Sequence, residues 1–321
     1  MMQEELAGKT GDWKLLVVLP TFDRPVGLSN CLRALTALGD LIDEVHVIDN
    51  GTGDAALRVC QAWKEQSRIE LKYTRPESNV GPAGATALAM RGLLESHTEG
   101  LVLRLDDDRP VATELFRRLL RFALTEMSAR PEVAAVGLEG AQWFPLRARL
   151  HSPRRTSGGP TPVDYLKTSY FPLFRFSAIR SVGPFRADLF FGMTEVEYGL
   201  RLRRAGWELI EASHLRAAEE AGRPRPALWS ALDWRRYYSL RNLLVILRES
   251  GHPIVALRVA MVRGVLKPSA AVLVRRAASM DALLLSLRAV SDAYRGRMGA
   301  TVDPALFAAT GREPSGDRSY T

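Results

Sequence analysis

The sequence is short of cysteine, of histidine and of long apolar runs, and each shortage closes off a class of protein. Only Cys31 and Cys60 occur in 321 residues, each in a helical-looking stretch and without metal-ligand spacing. A disulfide scaffold is excluded, and a reducing compartment, the cytoplasm, is the expected setting. No run of roughly 18 uncharged apolar residues is present, so no transmembrane helix is expected. Met1–Lys14 carries Glu4, Glu5 and Asp12 and has no apolar run, which does not fit a signal peptide. His46, His97, His151 and His252 show no clustering. Aromatic residues become sparse after Tyr238, which argues against nucleic acid as a partner of the C-terminal part.

What is present is ordinary for a globular chain: 46% of residues are apolar and 25% charged. That supports a large core and excludes disorder or low complexity as the dominant state. The net charge of +8 is unevenly spread. Over residues 235–300, twelve Arg or Lys stand against three acids, Glu249, Asp281 and Asp292. The rest of the chain is close to neutral, so the basic character belongs to one block that suggests a partner of its own.

Apolar patterning predicts strands over Lys14–Pro20, Glu44–Ile48, Glu70–Tyr73, Leu101–Leu105 and Val133–Leu138. Between them, helices are expected over Gly27–Leu38, Asp54–Lys64, Ala83–Leu94 and Thr113–Met127, the last with Thr113 as N-cap. Such a β-α-β-α series argues for an α/β fold with an open, mostly parallel sheet and helices on both faces. After Gly140 the pattern breaks, and Pro145–Pro162, rich in Arg, Pro, Gly and Ser, reads as a mobile loop. Helical spacing returns at Glu195–Ala205, a strand is expected at Glu208–Glu211, and Leu228–Arg297 reads as almost entirely helical. Ala300–Thr321 reads as a frayed tail.

In an open parallel sheet, ligands bind beyond the carboxyl ends of the strands. There the chain carries Pro-Thr-Phe-Asp-Arg-Pro (20–25), Asp-Asn-Gly (49–51) and Asp-Asp-Asp (106–108). Five carboxylates, Asp23, Asp49, Asp106, Asp107 and Asp108, would thus crowd one crevice. Gathered like charges repel and need compensation, for which a divalent cation is the simplest source. Asn79–Thr86, with Gly81 and Gly84, would let a phosphate or sugar approach the backbone at a helix start. A competing dinucleotide fingerprint, Gly51-Thr52-Gly53-Asp54-Ala55-Ala56, follows the second strand instead of the first. Asp49 at its mouth would oppose a pyrophosphate.

Taken in order, these motifs resemble the family 2 inverting glycosyltransferases of GT-A fold. Thr194-Glu195-Val196-Glu197-Tyr198-Gly199-Leu200-Arg201 and Arg236-Tyr237-Tyr238-Ser239-Leu240-Arg241-Asn242 complete the set. Over about residues 14–298 the chain is most similar to the galactofuranosyl- and rhamnosyltransferase branch. The resemblance implies that Thr21, Asp23, Arg24 and Asp49 hold the nucleotide base and ribose, and that Asn79, Gly81 and Gly84 line the donor site. Asp106 and Asp108 match the family's DxD, which binds the metal–diphosphate through Mg²⁺ or Mn²⁺; Asp107 fills the variable middle position and counts, with Asp106, among the donor-binding residues. Glu195 matches the catalytic base, and His214 matches a histidine that completes the metal site. Pro82 and Ala85 depart from the family's glycine-rich donor loop, and Thr194 stands where an Asp is common. The implied organisation is a tail (1–13), a GT-A catalytic domain (14–227, with a donor half to about 140), a basic helical region (228–299) and a flexible tail (300–321).

The expected reaction moves a sugar from a UDP- or dTDP-linked donor, galactofuranose or rhamnose, to a hydroxyl of a sugar or lipid-linked acceptor. Such transfer belongs to cell-wall or polysaccharide biosynthesis. Inversion needs the acceptor hydroxyl deprotonated as it attacks, which a positioned carboxylate can do. Glu195 and Glu197 are two apart at a helix start, so only one can face the crevice. Glu195 is the choice, Glu197 being suited to an Arg partner or a helix-start charge. A nucleotidyltransferase, or a non-catalytic nucleotide-sugar-binding module of the same fold, are the alternatives. In the basic block, Ile254–Leu266 and Ala270–Ala289 set Arg and Lys among aliphatic residues at near-helical spacing. Such stretches suit an anionic membrane surface, packing on the core, or a homodimer contact.

Overall fold

A computed structural model describes residues 13–152, 159–215, 234–274 and 279–304. The chain divides into two compact units. The first comprises Met1–Phe144, Arg149–Ala187 and Thr194–Arg223, and the second Pro145–Ala148, Asp188–Met193 and Pro224–Thr321.

The first unit opens with the expected βα series. It runs β1 (Leu15–Thr21), α1 (Pro25–Thr36), β2 (Glu44–Asp49), α2 (Ala55–Gln66), β3 (Glu70–Thr74), α3 (Gly81–Ser96), β4 (Leu101–Arg104), α4 (Thr113–Ala129) and β5 (Val133–Gly137). All seven residues of β1 are buried, because helices cover both faces of the sheet. Alternate side chains go to opposite sides: Leu15, Val17 and Leu19 join one core, Leu16 and Val18 the other. In α1, Leu28, Cys31, Leu32 and Leu35 form the buried stripe, and Pro25 starts the helix where no backbone donor is needed. Helix α4 begins on Thr113 itself, with Ala112 in the cap position and no side-chain cap, contrary to expectation.

Beyond β5 the chain builds β6 (Gly140–Phe144), β7 (Arg149–His151), β8 (Thr161–Val163), β9 (Tyr165–Leu166), β10 (Leu173–Arg175), α5 (Phe176–Val182), α6 (Thr194–Arg204) and β11 (Glu208–Glu211). The main sheet has the order β3-β2-β1-β4-β10-β5-β11-β8, with β7-β6-β9 as a small second sheet. Strands β1 to β4 are mutually parallel, β10 runs antiparallel between β4 and β5, and β11 is parallel to β5. The sheet is therefore mostly parallel, as expected, but β10 was not foreseen. The stretch expected as one loop, 145–162, contains β7 and the start of β8, while residues 153–158 lie outside the described residues.

The second unit holds α7 (Trp234–Glu249), α8 (Pro253–Val259), a π-helical segment (Ala260–Leu266), α9 (Lys267–Leu273) and α10 (Ser279–Arg295). Among the described residues the helical expectation over 228–297 holds from Trp234 on, and residues 228–233 and 275–278 lie outside the described residues. Arg241 and Asn242, for which the sequence offers no role, are fully buried in α7. The two N–H groups of the Asn242 amide are shared among the carbonyls of Leu189 (2.9 Å), Phe191 (2.8 Å) and Gly192 (2.8 Å). Arg241 donates to Leu189 O (2.9 Å) and Gly299 O (2.8 Å), and its Nε to Asn242 Oδ1 (3.0 Å). The loop so held carries left-handed backbone at Phe190, Gly192 and Met193. At the C-terminal end, Val302 is buried and exchanges hydrogen bonds with the Tyr238 hydroxyl, so the expected tail is anchored at its start. Residues 305–321 lie outside the described residues.

Candidate active site

The site grows from the carboxyl ends of β1, β2 and β4, which the parallel register brings to one edge of the first unit. At the end of β1, Thr21 is buried and its hydroxyl donates to Asp107 Oδ2 (2.8 Å). The Phe22 amide donates to the same oxygen (3.4 Å). Arg24 reaches Asp107 Oδ1 (3.5 Å) and Asp108 Oδ2 (3.4 Å). The middle Asp of the triplet is thus turned inward as the tie between two strand ends. Burial pushes its carboxyl above the usual range, against the pull of the Thr21 hydroxyl and Arg24. Helix α1 comes so near this turn that a Cβ on Gly27 would lie 2.4 Å from the Asp107 carbonyl oxygen. Cys31 sits under the same turn, and burial with the neighbouring carboxylates pushes its thiol up to about 12, which leaves it unreactive at neutral pH.

The end of β2 is organised by Asp49 and Asn50. Asp49 is buried and accepts from Gly51 N (2.9 Å), the Tyr73 hydroxyl (2.6 Å) and Arg75 (2.9 Å). Arg75 also binds Asp54 (3.0 Å) and the Gly53 carbonyl (2.7 Å), which pins the Gly-Thr-Gly turn. Burial and the Asp49 contact together raise the Tyr73 phenol, keeping it protonated as a donor. Asp23 has left-handed backbone, and its carboxylate accepts from Thr52 N (3.3 Å). Asn50 bonds Val80 N (3.2 Å) and Gly81 O (3.2 Å), and Asn79 caps Gly81 N (2.8 Å). The glycine-bearing loop before α3 is therefore strapped to β2. Gly84 is buried against Val80, where a Cβ would approach to 2.7 Å.

The third part comes from the far half of the unit. Asp106 pairs with Arg104, a buried cation at the end of β4. Asp106 Oδ2 also accepts from the Thr168 hydroxyl (3.2 Å), and that same hydroxyl lies 3.0 Å from Glu195 Oε1. The other Glu195 oxygen accepts from the Thr194 hydroxyl (3.0 Å). One hydroxyl proton can serve only one of the two carboxyl groups at a time, so Asp106 and Glu195 compete for this donor. Glu197 instead is buried and takes Arg201 on both oxygens (3.0 and 3.1 Å), the partner expected of it. Arg109, the residue after the triplet, covers the Tyr170 ring at 4.2 Å and donates to Ser169 O (3.3 Å), holding the 168–170 turn over Asp106.

The fold thus joins Thr21, Arg24, Asp107 and Asp108 in one network, and Asp106 with Glu195 in another. Asp23, Asp49 and the Asn79–Gly81 loop line the adjoining strand ends. His214 follows β11 in a short 3₁₀ turn, exposed, with its ring edge-on to Phe122 at 5.2 Å. Among the described residues, no three His, Cys, Asp or Glu converge as a complete metal cage. Asp106 and Asp108 are partly exposed, with side-chain accessibilities of 29% and 60%. Two open carboxylates suit Mg²⁺ or Mn²⁺ that takes its remaining ligands from water and substrate phosphates. Thr168, Arg104, Asn50, Tyr73 and Arg75 were not singled out from sequence. Arg75 alone left a trace, as a base just past a strand end.

The family model described as Glycosyl transferase family 2 matches residues 16–183. No curated protein matches by sequence. Among solved structures, the chain is similar to the mannosyltransferase PcManGT from Pyrobaculum calidifontis, in complex with GDP-Man and Mn²⁺. The TM-score is 0.52 at 16% identity, covering 94% of this chain and 80% of that one. GalNAc-T7 with UDP, GalNAc and Mn²⁺ gives 0.54 at 13% identity, over 73% of this chain and 48% of that one. S. aureus TarS 1–349 with UDP gives 0.51 at 15% identity, over 93% and 87%. At these identities the likeness is one of fold.

Proposed function

The chain belongs to glycosyl transferase family 2 and has the GT-A fold, and on that premise we propose that it transfers a sugar, with inversion, from a nucleoside-diphosphate sugar to an acceptor hydroxyl. The observation that carries the reading is the Thr168 hydroxyl between Asp106 and Glu195. It puts the candidate base one side chain away from the candidate diphosphate end of the site. In-line attack needs the two groups to flank one sugar: the leaving diphosphate departs on one face of the anomeric carbon while the acceptor hydroxyl approaches the other.

Each group has a task in this reading. Glu195 takes the proton of the acceptor hydroxyl as the new glycosidic bond forms, a contribution of about 10²–10⁴-fold in rate. Asp106 and Asp108 would hold a divalent cation, Mg²⁺ or Mn²⁺, whose chemistry there is Lewis-acid neutralisation of the departing diphosphate. Thr21, Asp23, Arg24 and Asp49 bind the nucleoside, Asp49 chiefly by fixing Arg75 and the 51–53 turn. Asn79, Gly81 and Gly84 border the donor, and Asp107 holds the strand ends in register. Of the donors, the motif resemblance favours UDP-galactofuranose or dTDP-rhamnose.

The test is a panel of nucleotide-sugars with Mn²⁺ or Mg²⁺, read by product formation and by slow donor hydrolysis. Turnover of one donor is expected, with Glu195→Gln lowering kcat by at least about 10²-fold and leaving nucleotide affinity close to wild type. Wild-type turnover in that variant removes Glu195 from its role. A chain that binds nucleotide-sugar but turns over none of them is a binding module.

A further inference from the structure

Unlike α7, the later helices of the second unit are amphipathic the wrong way round for a helix that faces only water and its own core. In α10 the buried positions are Asp292 and the small Ala282, Ser286, Ala289 and Ala293, while Met280, Leu284, Leu287 and Tyr294 are 53%, 58%, 40% and 42% exposed. These outward residues are four, three and seven apart, so they form one stripe. The run from α8 through α9 repeats the arrangement. Ala256, Val259, Ala260, Gly264 and Pro268 face inward. Ile254, Leu257, Met261, Leu266 and Leu273 face outward, at 83%, 57%, 46%, 57% and 82% exposure. The five-residue step from Met261 to Leu266 falls in the π segment, whose i→i+5 turn keeps the two on one side where an α-turn would rotate them apart. Leu146, 68% exposed, adjoins this face, because Arg258 donates to its carbonyl. Scattered exposed leucines are ordinary, but two parallel-patterned helices that turn their large apolar side chains outward are a surface built for contact.

The charge on that face selects the partner. Between 253 and 297, the exposed ionisable residues described are Arg258, Lys267, Arg288, Arg295 and Arg297, against the single acid Asp281. A second copy would bring cations against cations. A surface of anionic lipid headgroups over hydrocarbon satisfies both the bases and the leucines. No helix among the described residues is long and apolar enough to cross a membrane, so the contact is one of lying on the surface.

We propose that the α8–α9 run and α10 form an interfacial membrane-binding face, which seats Leu257, Met261, Leu266, Leu284 and Leu287 among the acyl chains of an anionic bilayer. The proposal does not depend on the sugar chemistry. Flotation of the full chain with phosphatidylcholine vesicles, with and without phosphatidylglycerol, tests it at low and high salt. Binding to the anionic vesicles at low salt, weakened by high salt and by omission of phosphatidylglycerol, is expected. Leu284→Asp/Leu287→Asp and Leu257→Asp/Met261→Asp should each lower vesicle affinity by at least about tenfold with unchanged thermal melting. As a measurement that needs no disruptive variant, a polarity-sensitive dye on Leu284→Cys should shift to the blue with anionic vesicles; Cys31 and Cys60 are buried and stay unlabelled. Absence of flotation at low salt, variants that float like wild type, or a dye spectrum indifferent to vesicles would each overturn the proposal. So would a lipid-free dimer that the same Asp substitutions dissociate, since the face would then belong to a second copy.

Discussion

Thr168 shows what a single hydroxyl can do at a crowded point. It lies within hydrogen-bond distance of Asp106 and of Glu195, two acids far apart in the sequence. Replacing it with Val keeps the branching and removes the hydroxyl that bonds both acids. In the proposed reaction Glu195 would lose the contact that orients its Oε1, while the nucleoside contacts stay. Thr168→Val should therefore lower kcat by roughly 10–100-fold with a small change in donor KM, and Thr168→Ser should restore most of it. Equal losses in both variants would mean that the methyl, and packing, matter instead. Residues of this kind were illegible in the sequence. Carboxylates announce themselves by type and position after strands, and the choice between Glu195 and Glu197 could be argued from helical spacing. A threonine in an irregular stretch has no pattern; Asn50 stands in the Asp-Asn-Gly motif, but its worth lies in which loop it straps, which the motif does not tell.

At the scale of elements, legibility followed length and periodicity. The β1–α4 series was readable because each strand is a continuous apolar run and each helix repeats its apolar positions. The strands from β7 to β10 are two or three residues long, too short for either period to show, and one of them contains Pro162. Their pairing is decided by partners far away in sequence, as when β10 enters antiparallel between β4 and β5. The Arg-Tyr-Tyr-x-Leu-Arg-Asn run was visible as a motif but silent about purpose, because its partners are backbone carbonyls. In the structure, Asn242 supplies donors to three of them in a loop with left-handed residues on both sides of Phe191. Asn242→Ala should cost about 2–4 kcal/mol by chemical denaturation, since buried carbonyls lose their donors. Asn242→Asp, nearly the same shape, should cost at least as much, because acceptors would then face acceptors. A mild Asp variant and a severe Ala variant would show that filling space, not hydrogen bonding, is what the loop requires.

For the whole molecule, the two kinds of chemistry fall in different units. Asp106, Asp108, Glu195 and the nucleoside-side residues all belong to the first, and the basic apolar helices to the second. This division makes a prediction about unfolding. A ligand that binds only folded protein raises stability by RT ln(1 + [L]/Kd), about 2.7 kcal/mol at a hundredfold excess over Kd. UDP or dTDP with Mn²⁺ should then raise the melting temperature by roughly 5–10 °C. If the units melt separately, only the transition of the first should move. Chelation of the metal should remove most of the shift, because the nucleoside contacts alone would be left to hold a diphosphate near Asp106 and Asp108. Asp106→Asn/Asp108→Asn should remove it likewise, while Glu195→Gln should keep it, since in the proposed reaction Glu195 meets the acceptor and not the diphosphate. A nucleotide shift that survives both chelation and the double Asn substitution would detach the cation from these two carboxylates. The diphosphate would then have to be held by the chain's own cations, for which Arg24, beside Asp108, would be the first residue to substitute.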